Sequence, residues 1–317
     1  MDEPSHVRAV LICGPTASGK SALALDLAKD FGGVIVNADS MQIYAELRVI
    51  TNRPTPVEEA QAPHRLYGVR PARYAYSAAL WLADVRATLV EAGREGWLPI
   101  LVGGTGLYFK ALTEGLSDIP EIPAEIRAHY RLAARTQPSR LLHAELQRRD
   151  AQTAARLSPT DSQRIVRALE VLEATGRPLA EWQAQKQPPL LPLNRTYPVA
   201  VTLDREELYR RCDARFDAML ASGAIGEARD IASLELDSAL PAVRAVGLPQ
   251  LLAHLRGEMP LDEATVAAKT STRNYAKRQL TWIRSNFGSW NEYSAQLMER
   301  TKREIEMLFE KLLTGRC

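Results

Sequence analysis

Cysteine is scarce in this chain. There are three in 317 residues, Cys13, Cys212 and Cys317, far apart and odd in number, with no C-x-x-C pair. That argues against a disulfide framework or a cysteine-rich zinc site and for reduced thiols in a cytoplasmic protein. Long apolar runs are missing too, so no membrane span is expected. The start, MDEPSHVRAV, is acidic, and its apolar run is too short for a signal peptide. The closing Gly315-Arg316-Cys317 is no prenylation box. Net charge is nearly absent: 40 Lys and Arg against 38 Asp and Glu leave +2, so any nucleic-acid role must rest on local patches. Repeats and low-complexity tracts are also lacking. What remains is 46% apolar and 25% charged, the composition of a soluble globular protein. The length suits one large domain or two ordinary ones.

The strongest signal is Gly14-Pro15-Thr16-Ala17-Ser18-Gly19-Lys20-Ser21, a G-x-x-x-x-G-K-[ST] loop. Val7 and Ala9 to Ile12 before it read as a buried strand, and Ser21 to Asp30 after it as a helix. Strand, glycine-rich loop and helix start form a phosphate cradle. Inward backbone N–H groups, the helix N-terminus and Lys20 supply positive charge, and the Ser21 hydroxyl can hold Mg²⁺. The loop implies a diphosphate or polyphosphate but not its fate.

Downstream, Val34 to Val36 read as a second strand, with Asp39 just past its end. Thr51 to Pro63 is a proline-dotted loop, and Tyr76 to Ala92 is helical in pattern. Leu98 to Val102 is a strand that runs into Gly103-Gly104-Thr105-Gly106-Leu107-Tyr108. This alternation predicts an α/β fold: a parallel sheet around the phosphate loop, helices on both faces. Residues 1–117 form its first part. Residues 118–194 read as an all-helical insertion closed by Pro188, Pro189 and Pro192. Residues 195–317 return to a core strand, Tyr197 to Asp204, and then continue as helices. These include Arg205 to Ser222, Asp262 to Asn286, and Ala295 to Leu313 with Ile305, Leu308, Phe309 and Leu312 on one side.

Four places can carry chemistry. Asp39 could hold a metal-bound water, accept a proton, or cap a turn. Gly103 to Tyr108 is either a tight turn or a site where a flat ligand approaches backbone beside the Thr105 hydroxyl. Asp161 to Leu172 reads as a helix with Thr160 or Asp161 as cap, Gly176 and Pro178 at its end, and Ile165, Leu169 and Leu172 on its apolar side. Its Gln163, Arg164 and Arg167 are a solvated face or a contact surface. On the long C-terminal helix, Lys269, Arg273, Lys277 and Arg284 fall within about 80° of each other. Tyr275 and Trp282 face roughly away, towards the expected core. Such a stripe suggests phosphate contacts.

These motifs, GPTASGKS, DSMQIY (Asp39 to Tyr44), GGTGLY, DSQRIVRALEV and YAKRQLTWIR (Tyr275 to Arg284), have the order and approximate spacing of tRNA dimethylallyltransferases. The chain resembles that family from about Val10 to Arg284, and the resemblance also covers Pro63-His64-Arg65. It implies transfer of a dimethylallyl group from its diphosphate to N6 of the adenine 3′ of the anticodon. The partners it implies are the tRNA anticodon stem-loop and dimethylallyl diphosphate, with Mg²⁺ as cofactor; a monomer is expected. Thr16 to Ser21 would hold the diphosphate, Asp39 would be the general base, and Arg215 would help bind the diphosphate. Lys20 and Thr105 complete the catalytic set. The tRNA-facing positions would be Asp39, Ser40, Met41, Gln42, Thr105 and Arg127. To these the resemblance adds Gln163, Arg164, Ile165, Val166 and Arg167, then Arg244, and finally Lys277, Arg278, Gln279, Leu280, Thr281, Trp282, Ile283 and Arg284.

One segment departs from the pattern. The family's R-x-x-G-Y-[RK] is here Arg244-Ala245-Val246-Gly247-Leu248-Pro249, without the ring and the second cation. Two other readings explain the phosphate loop: a P-loop kinase or NTPase, with Val199 to Asp204 ending like a Walker B strand, and an isopentenyltransferase acting on free adenine nucleotides. Neither needs two basic helical motifs.

Overall fold

A computed structural model describes residues 8–294, together with Arg303 and Met307. Of the helix expected at 295–313, all but Arg303 and Met307 lies outside the described residues. Contacts divide the chain into two compact units, Met1–Thr113 with Leu190–Cys317, and Glu114–Pro189.

The first unit begins β1 (Ala9–Cys13), α1 (Lys20–Asp30), β2 (Gly33–Asn37), α2 (Pro56–Glu59), β3 (His64–Arg65), α3 (Ala78–Glu95), β4 (Leu98–Gly103) and α4 (Gly106–Glu114). The second unit holds α5 (Ala124–Thr136), α6 (Ser139–Arg149), α7 (Ala151–Ala154), α8 (Ser162–Thr175) and α9 (Leu179–Ala184). The chain then returns through β5 (Thr196–Thr202), α10 (Arg205–Ala221), α11 (Ala224–Ser233), α12 (Leu248–Leu255), α13 (Leu261–Asn286) and β6 (Asn291–Ser294).

All six strands pair in parallel, in the order β3-β2-β4-β1-β5-β6. The central β1 pairs Val10 with Ile100 on one side and with Tyr197 on the other. Every β1 residue is buried, as a strand covered on both faces requires. Alternation sends Leu11 to one face, among Val36, Leu101, Trp81 and Val85, and Val10 and Ile12 to the other, among Leu23, Leu27 and Leu208. The predicted parallel sheet with helices on both faces is therefore found. Two strands read differently in sequence: His64–Arg65 was expected as loop, and Asn291–Ser294 lies where only helix was expected. Both are edge strands and too short to show a period.

Local signals set the helix ends. Ser77 caps α3, its hydroxyl accepting from Leu80 N–H, so this helix starts after Tyr76. A capping box of Thr55 and Glu58 makes one turn of helix inside the proline-dotted loop. In the second unit, Asp161 caps α8 and Gly176 ends it in the left-handed region. Its core joins Ile165, Val166 and Leu169 to Tyr130, Leu142 and Leu146. Leu172, expected on the apolar side, is only half-buried, and Ala168 and Val171 are buried instead.

Candidate active site

In a parallel sheet the C-terminal ends of β1, β2 and β4 share one edge, and here the loops that leave them are stitched together. Gly14 N–H donates to Gly103 O (3.3 Å), Ala38 N–H to Val102 O (2.8 Å) and Thr105 N–H to Ala38 O (3.2 Å). The phosphate loop, Asp39 and the Gly103–Gly106 turn thus meet where open α/β sheets bind ligands.

Within the phosphate loop, Ala17 (φ 65°) and Gly19 (φ 89°) are both left-handed, which curls the backbone into a nest. Not every N–H points into it, contrary to expectation. Ser18 N–H donates to Pro15 O (3.3 Å) and Thr16 N–H to Gln279 Oε1 (2.9 Å). Among the described residues, buried Ser18 Oγ has no hydrogen-bond partner. Lys20 Nζ donates to Pro15 O (3.2 Å), and Arg215 Nη1, on α10, donates to Thr16 Oγ1 (3.2 Å). Burial, and then the Arg215 charge, lower the Lys20 ammonium from 10.5 to about 8; the Asp39 charge opposes them. Burial also pulls the Arg215 guanidinium down. Two desolvated cations near one carboxylate make an anion-binding centre. The thiols beside it are inert, burial pushing Cys13 up to about 12 and Cys212 to about 11.

Asp39 has a divided role. Its Oδ1 accepts from Met41 N–H (2.9 Å), so one oxygen caps the turn. Among the described residues Oδ2 has no hydrogen-bond partner, and Asp39 borders the cavity described below. Buried Asn37 fixes this carboxylate: its Oδ1 accepts from Asp39 N–H (2.7 Å), and its Nδ2 donates to Asp39 O and Leu66 O (both 2.9 Å). Trp81 Nε1 in turn donates to Asn37 O (2.8 Å). The hydroxyls of Tyr67, Tyr108 and Tyr275 are held neutral, by burial first and the Asp39 charge second. Thr105 Oγ1 accepts from Ser40 N–H (3.0 Å), tying the third loop to the Asp39 turn.

A cavity of about 250 Å³ opens beside these groups. Thr16, Asp39, Arg215, Arg244 and Arg278 form its polar part; Met41, Ile50, Phe216, Met219 and Val246 form its apolar part. The Ile50 wall is pinned from α11, where the Glu227 carboxylate accepts from the N–H groups of Arg48 (2.8 Å), Val49 (2.6 Å) and Ile50 (2.8 Å). A second hollow of about 230 Å³ lies against Gly104, Thr105, Leu107 and Trp282. Among the described residues no three His, Cys, Asp or Glu cluster as a metal site. The hard oxygen donors are the Ser21 hydroxyl, which is exposed, and Asp39, a sparse set that fits Mg²⁺ carried largely by phosphate oxygens.

The candidate tRNA positions sort by burial. Lys277, Arg278, Thr281 and Trp282 line a groove along α13, and Arg284 is exposed on the same helix. Leu280 and Ile283 are buried against the core, Ile283 also bordering the hollow at Thr105. Gln279 is buried as well: Nε2 donates to Gly104 O (3.0 Å) while Oε1 holds Thr16 N–H, making it a strut between two loops. A Cβ on Gly104 would lie 2.1 Å from Gln279 Nε2, and one on Gly106 2.1 Å from Trp282, so α13 requires both glycines. Tyr275 and Trp282 are half-buried and line the hollows, and Trp282 also packs on the core, its ring 4.9 Å from that of Phe287. The basic stripe is half neutralised from α10: Lys269 Nζ meets Asp217 Oδ1 (2.7 Å), and Arg273 Nη1 meets Asp213 Oδ1 (2.7 Å).

Gln42 is used internally too, donating to Thr51 O and Asn52 O (both 2.9 Å). In the departing segment, Arg244 and Val246 border the cavity, whereas Leu248 is buried. In the second unit, Gln163, Arg164 and Arg167 line a hollow with Arg156, while Ile165 and Val166 are core residues. Arg167 lies near Glu170 (3.8 Å), and its guanidinium is lowered first by burial; the charge of half-buried Arg127 acts in the same direction. Asp204, the Walker B candidate, caps α10, its Oδ1 accepting from the N–H groups of Glu206 and Glu207, and it does not border the cavity.

Sequence reasoning missed Asn37 and Glu227 and misplaced Gln279 and Tyr275. An Asn closing an apolar strand is a usable signal, because a buried amide needs partners. Glu227 leaves no local trace.

Residues 42–286 match the family model described as IPP transferase, and residues 7–72 match that described as isopentenyl transferase. The chain is 55% identical over 284 residues to a tRNA dimethylallyltransferase of Bradyrhizobium sp., covering 90% of this chain and 93% of the relative. It is 56% identical over 276 residues to one of Rhodopseudomonas palustris, covering 87% and 86%. The solved tRNA isopentenylpyrophosphate transferase of Bacillus halodurans is similar at a TM-score of 0.69 and 29% identity, covering 98% of this chain and 97% of that one. A eukaryotic dimethylallyltransferase acting on tRNA gives 0.79 at 25% identity, covering 98% and 80%.

Proposed function

The chain belongs to the tRNA dimethylallyltransferase family, and from that premise we propose that it moves a dimethylallyl group from dimethylallyl diphosphate to N6 of the adenine 3′ of the anticodon. The observation that carries this is the cavity that Arg215 and Asp39 both border, lined by the cations Arg215, Arg244 and Arg278 together with the apolar Ile50, Phe216, Met219 and Val246. A kinase needs phosphate and metal chemistry at that place, not an apolar wall, and Asp204 does not border the cavity.

The allylic carbon–oxygen bond breaks and the diphosphate leaves with the electron pair. Lys20, Arg215 and the N–H groups of the nest meet the charge that develops there. A divalent ion on Ser21 would add to that neutralisation. The N6 nitrogen bonds to the allyl carbon and loses a proton, which Asp39 accepts at its unengaged Oδ2. Asn37 holds the carboxylate in place by bonding both ends of the Asp39 peptide. Apolar Ile50, Phe216 and Met219 would seat the dimethylallyl group. The hollow at Thr105 would take the adenine, unstacked from the anticodon loop. The helical unit, through Arg127, Gln163, Arg164 and Arg167, would grip the anticodon arm.

The test is a mixture of protein, dimethylallyl diphosphate and Mg²⁺ with unmodified tRNA, AMP or ATP. The expected result is isopentenyladenine in nuclease digests of the tRNA, with AMP and ATP unchanged. Prenylated AMP, or ATP hydrolysis stimulated by tRNA, would overturn the reading.

A further inference from the structure

The cavity beside Asp39 and the hollow at Thr105 share three bordering side chains: Ser40, Tyr275 and Arg278. Ser40 is small. Arg278 is exposed, with its guanidinium 5.8 Å from the centre of the Tyr275 ring. Tyr275 is therefore the one bulky uncharged group at the boundary. Ala276, Leu280 and Ile283 of the same helix are buried and hold it in position. The amphipathic reading sends this ring into the core, and nothing in the transfer mechanism above uses it.

Resting on the prenyl-transfer reading, we propose that Tyr275, at the junction of donor and acceptor sites, controls the partition of the allyl group, a specificity residue that decides whether it goes to nitrogen or to water. When the carbon–oxygen bond opens, the allyl carbon is electron-poor and any nucleophile in reach can close on it. Attack by N6 releases a proton to Asp39 and gives modified tRNA. Attack by water forms a carbon–oxygen bond, releases a proton and gives dimethylallyl alcohol; the diphosphate leaves with its electron pair in both cases. A ring that borders both hollows fills space that a competing water could otherwise take beside the open allyl carbon. Its bulk does this work, not its hydroxyl.

The test is the ratio of dimethylallyl alcohol to prenylated tRNA, measured in single turnovers with labelled dimethylallyl diphosphate and saturating tRNA. Wild type, Tyr275→Phe and Tyr275→Leu should give the same low ratio. Tyr275→Ala should raise it by roughly tenfold, the scale of a barrier difference near 1.4 kcal/mol, and Tyr275→Val should fall between. Thermal melts on the same samples identify unfolded variants; if the Ala variant is one, the Val variant carries the comparison. An unchanged ratio in a folded Ala or Val variant would overturn the partition, as would a Phe variant that hydrolyses as much as Ala. Absence of transfer by the wild type would instead overturn the prenyl-transfer reading, and the partition with it.

Discussion

Lys20 gives the most quantitative expectation. Its ammonium is lowered from 10.5 to about 8, chiefly by burial and then by Arg215. At about 1.4 kcal/mol per pH unit, holding that charge in the ligand-free protein costs about 3 kcal/mol. The residue as a whole is only half-buried beside an open cavity, so screening by water brings the figure to about 1–2 kcal/mol. Lys20→Met keeps most of the side-chain bulk and removes the charge. The variant should therefore be more stable than wild type near pH 7, and its melting temperature should rise by roughly 1.5–3 °C. The pH dependence has a fixed sign. Between pH 8 and 10.5 the unfolded chain holds the Lys20 proton while the folded one has released it, so wild-type stability rises through that window and the gap to the variant closes. Added pyrophosphate should reverse the order, since it binds the folded wild type and finds no ammonium in the variant. The assay is thermal melting at neutral pH and near pH 10, with and without pyrophosphate. A Lys20→Met protein that is less stable at neutral pH would refute the reasoning, and so would a gap that ignores pH; Lys20 would then be an ordinary lysine satisfied by Pro15 O.

Four other outcomes are expected. Asp39→Asn should lower single-turnover rates by roughly 10² to 10⁴ while substrate binding stays within a few-fold; full rescue by excess Mg²⁺ would remove Asp39 from the role of base. Gln279→Leu should strand Thr16 N–H and Gly104 O, costing about 1–3 kcal/mol of stability. It should raise KM for dimethylallyl diphosphate with tRNA affinity unchanged; a selective loss of tRNA binding would make Gln279 an RNA contact. Lys277→Ala with Arg284→Ala should flatten the salt dependence of tRNA binding by roughly 0.7 per lost contact to single-stranded backbone. Lys269→Ala and Arg273→Ala, already paired to Asp217 and Asp213, should leave that slope unchanged, and titrations at several salt concentrations check both.

The phosphate loop was legible because everything that makes it is local: two glycines, a lysine, and apolar residues on either side. Asp39 was legible as a place, one step past a strand, but its divided role was not, since that depends on Met41 N–H and on Asn37. The sheet order was not legible, because pairing of β6 with β5 depends on register between segments some ninety residues apart. Helix α13 is the instructive failure. Projecting its sequence at 100° per residue separates a basic stripe from an aromatic side, but it cannot say what stands opposite. Asp213 and Asp217 on α10 neutralise half of the stripe, and Tyr275 and Trp282 border two hollows, Trp282 while also packing on the core. In the second unit the capped ends of α8 were readable, whereas the separation of exposed Gln163 and Arg164 from buried Ile165 and Val166 awaited the packing of α5 and α6.

The Gln279 strut has a consequence for the order in which the protein becomes competent. It joins Thr16 to a residue 263 positions later. On a ribosome the glycine-rich loop emerges early, but the amide that arrests it belongs to nearly the last described helix. Contacts of such sequence separation form late, after the intervening chain has collapsed. A nascent chain that displays the phosphate motif therefore has no finished nest and no Arg215 or Tyr275 beside it. On the proposed reading, an allylic diphosphate would meet a working cradle only when the walls that direct its chemistry are already in place.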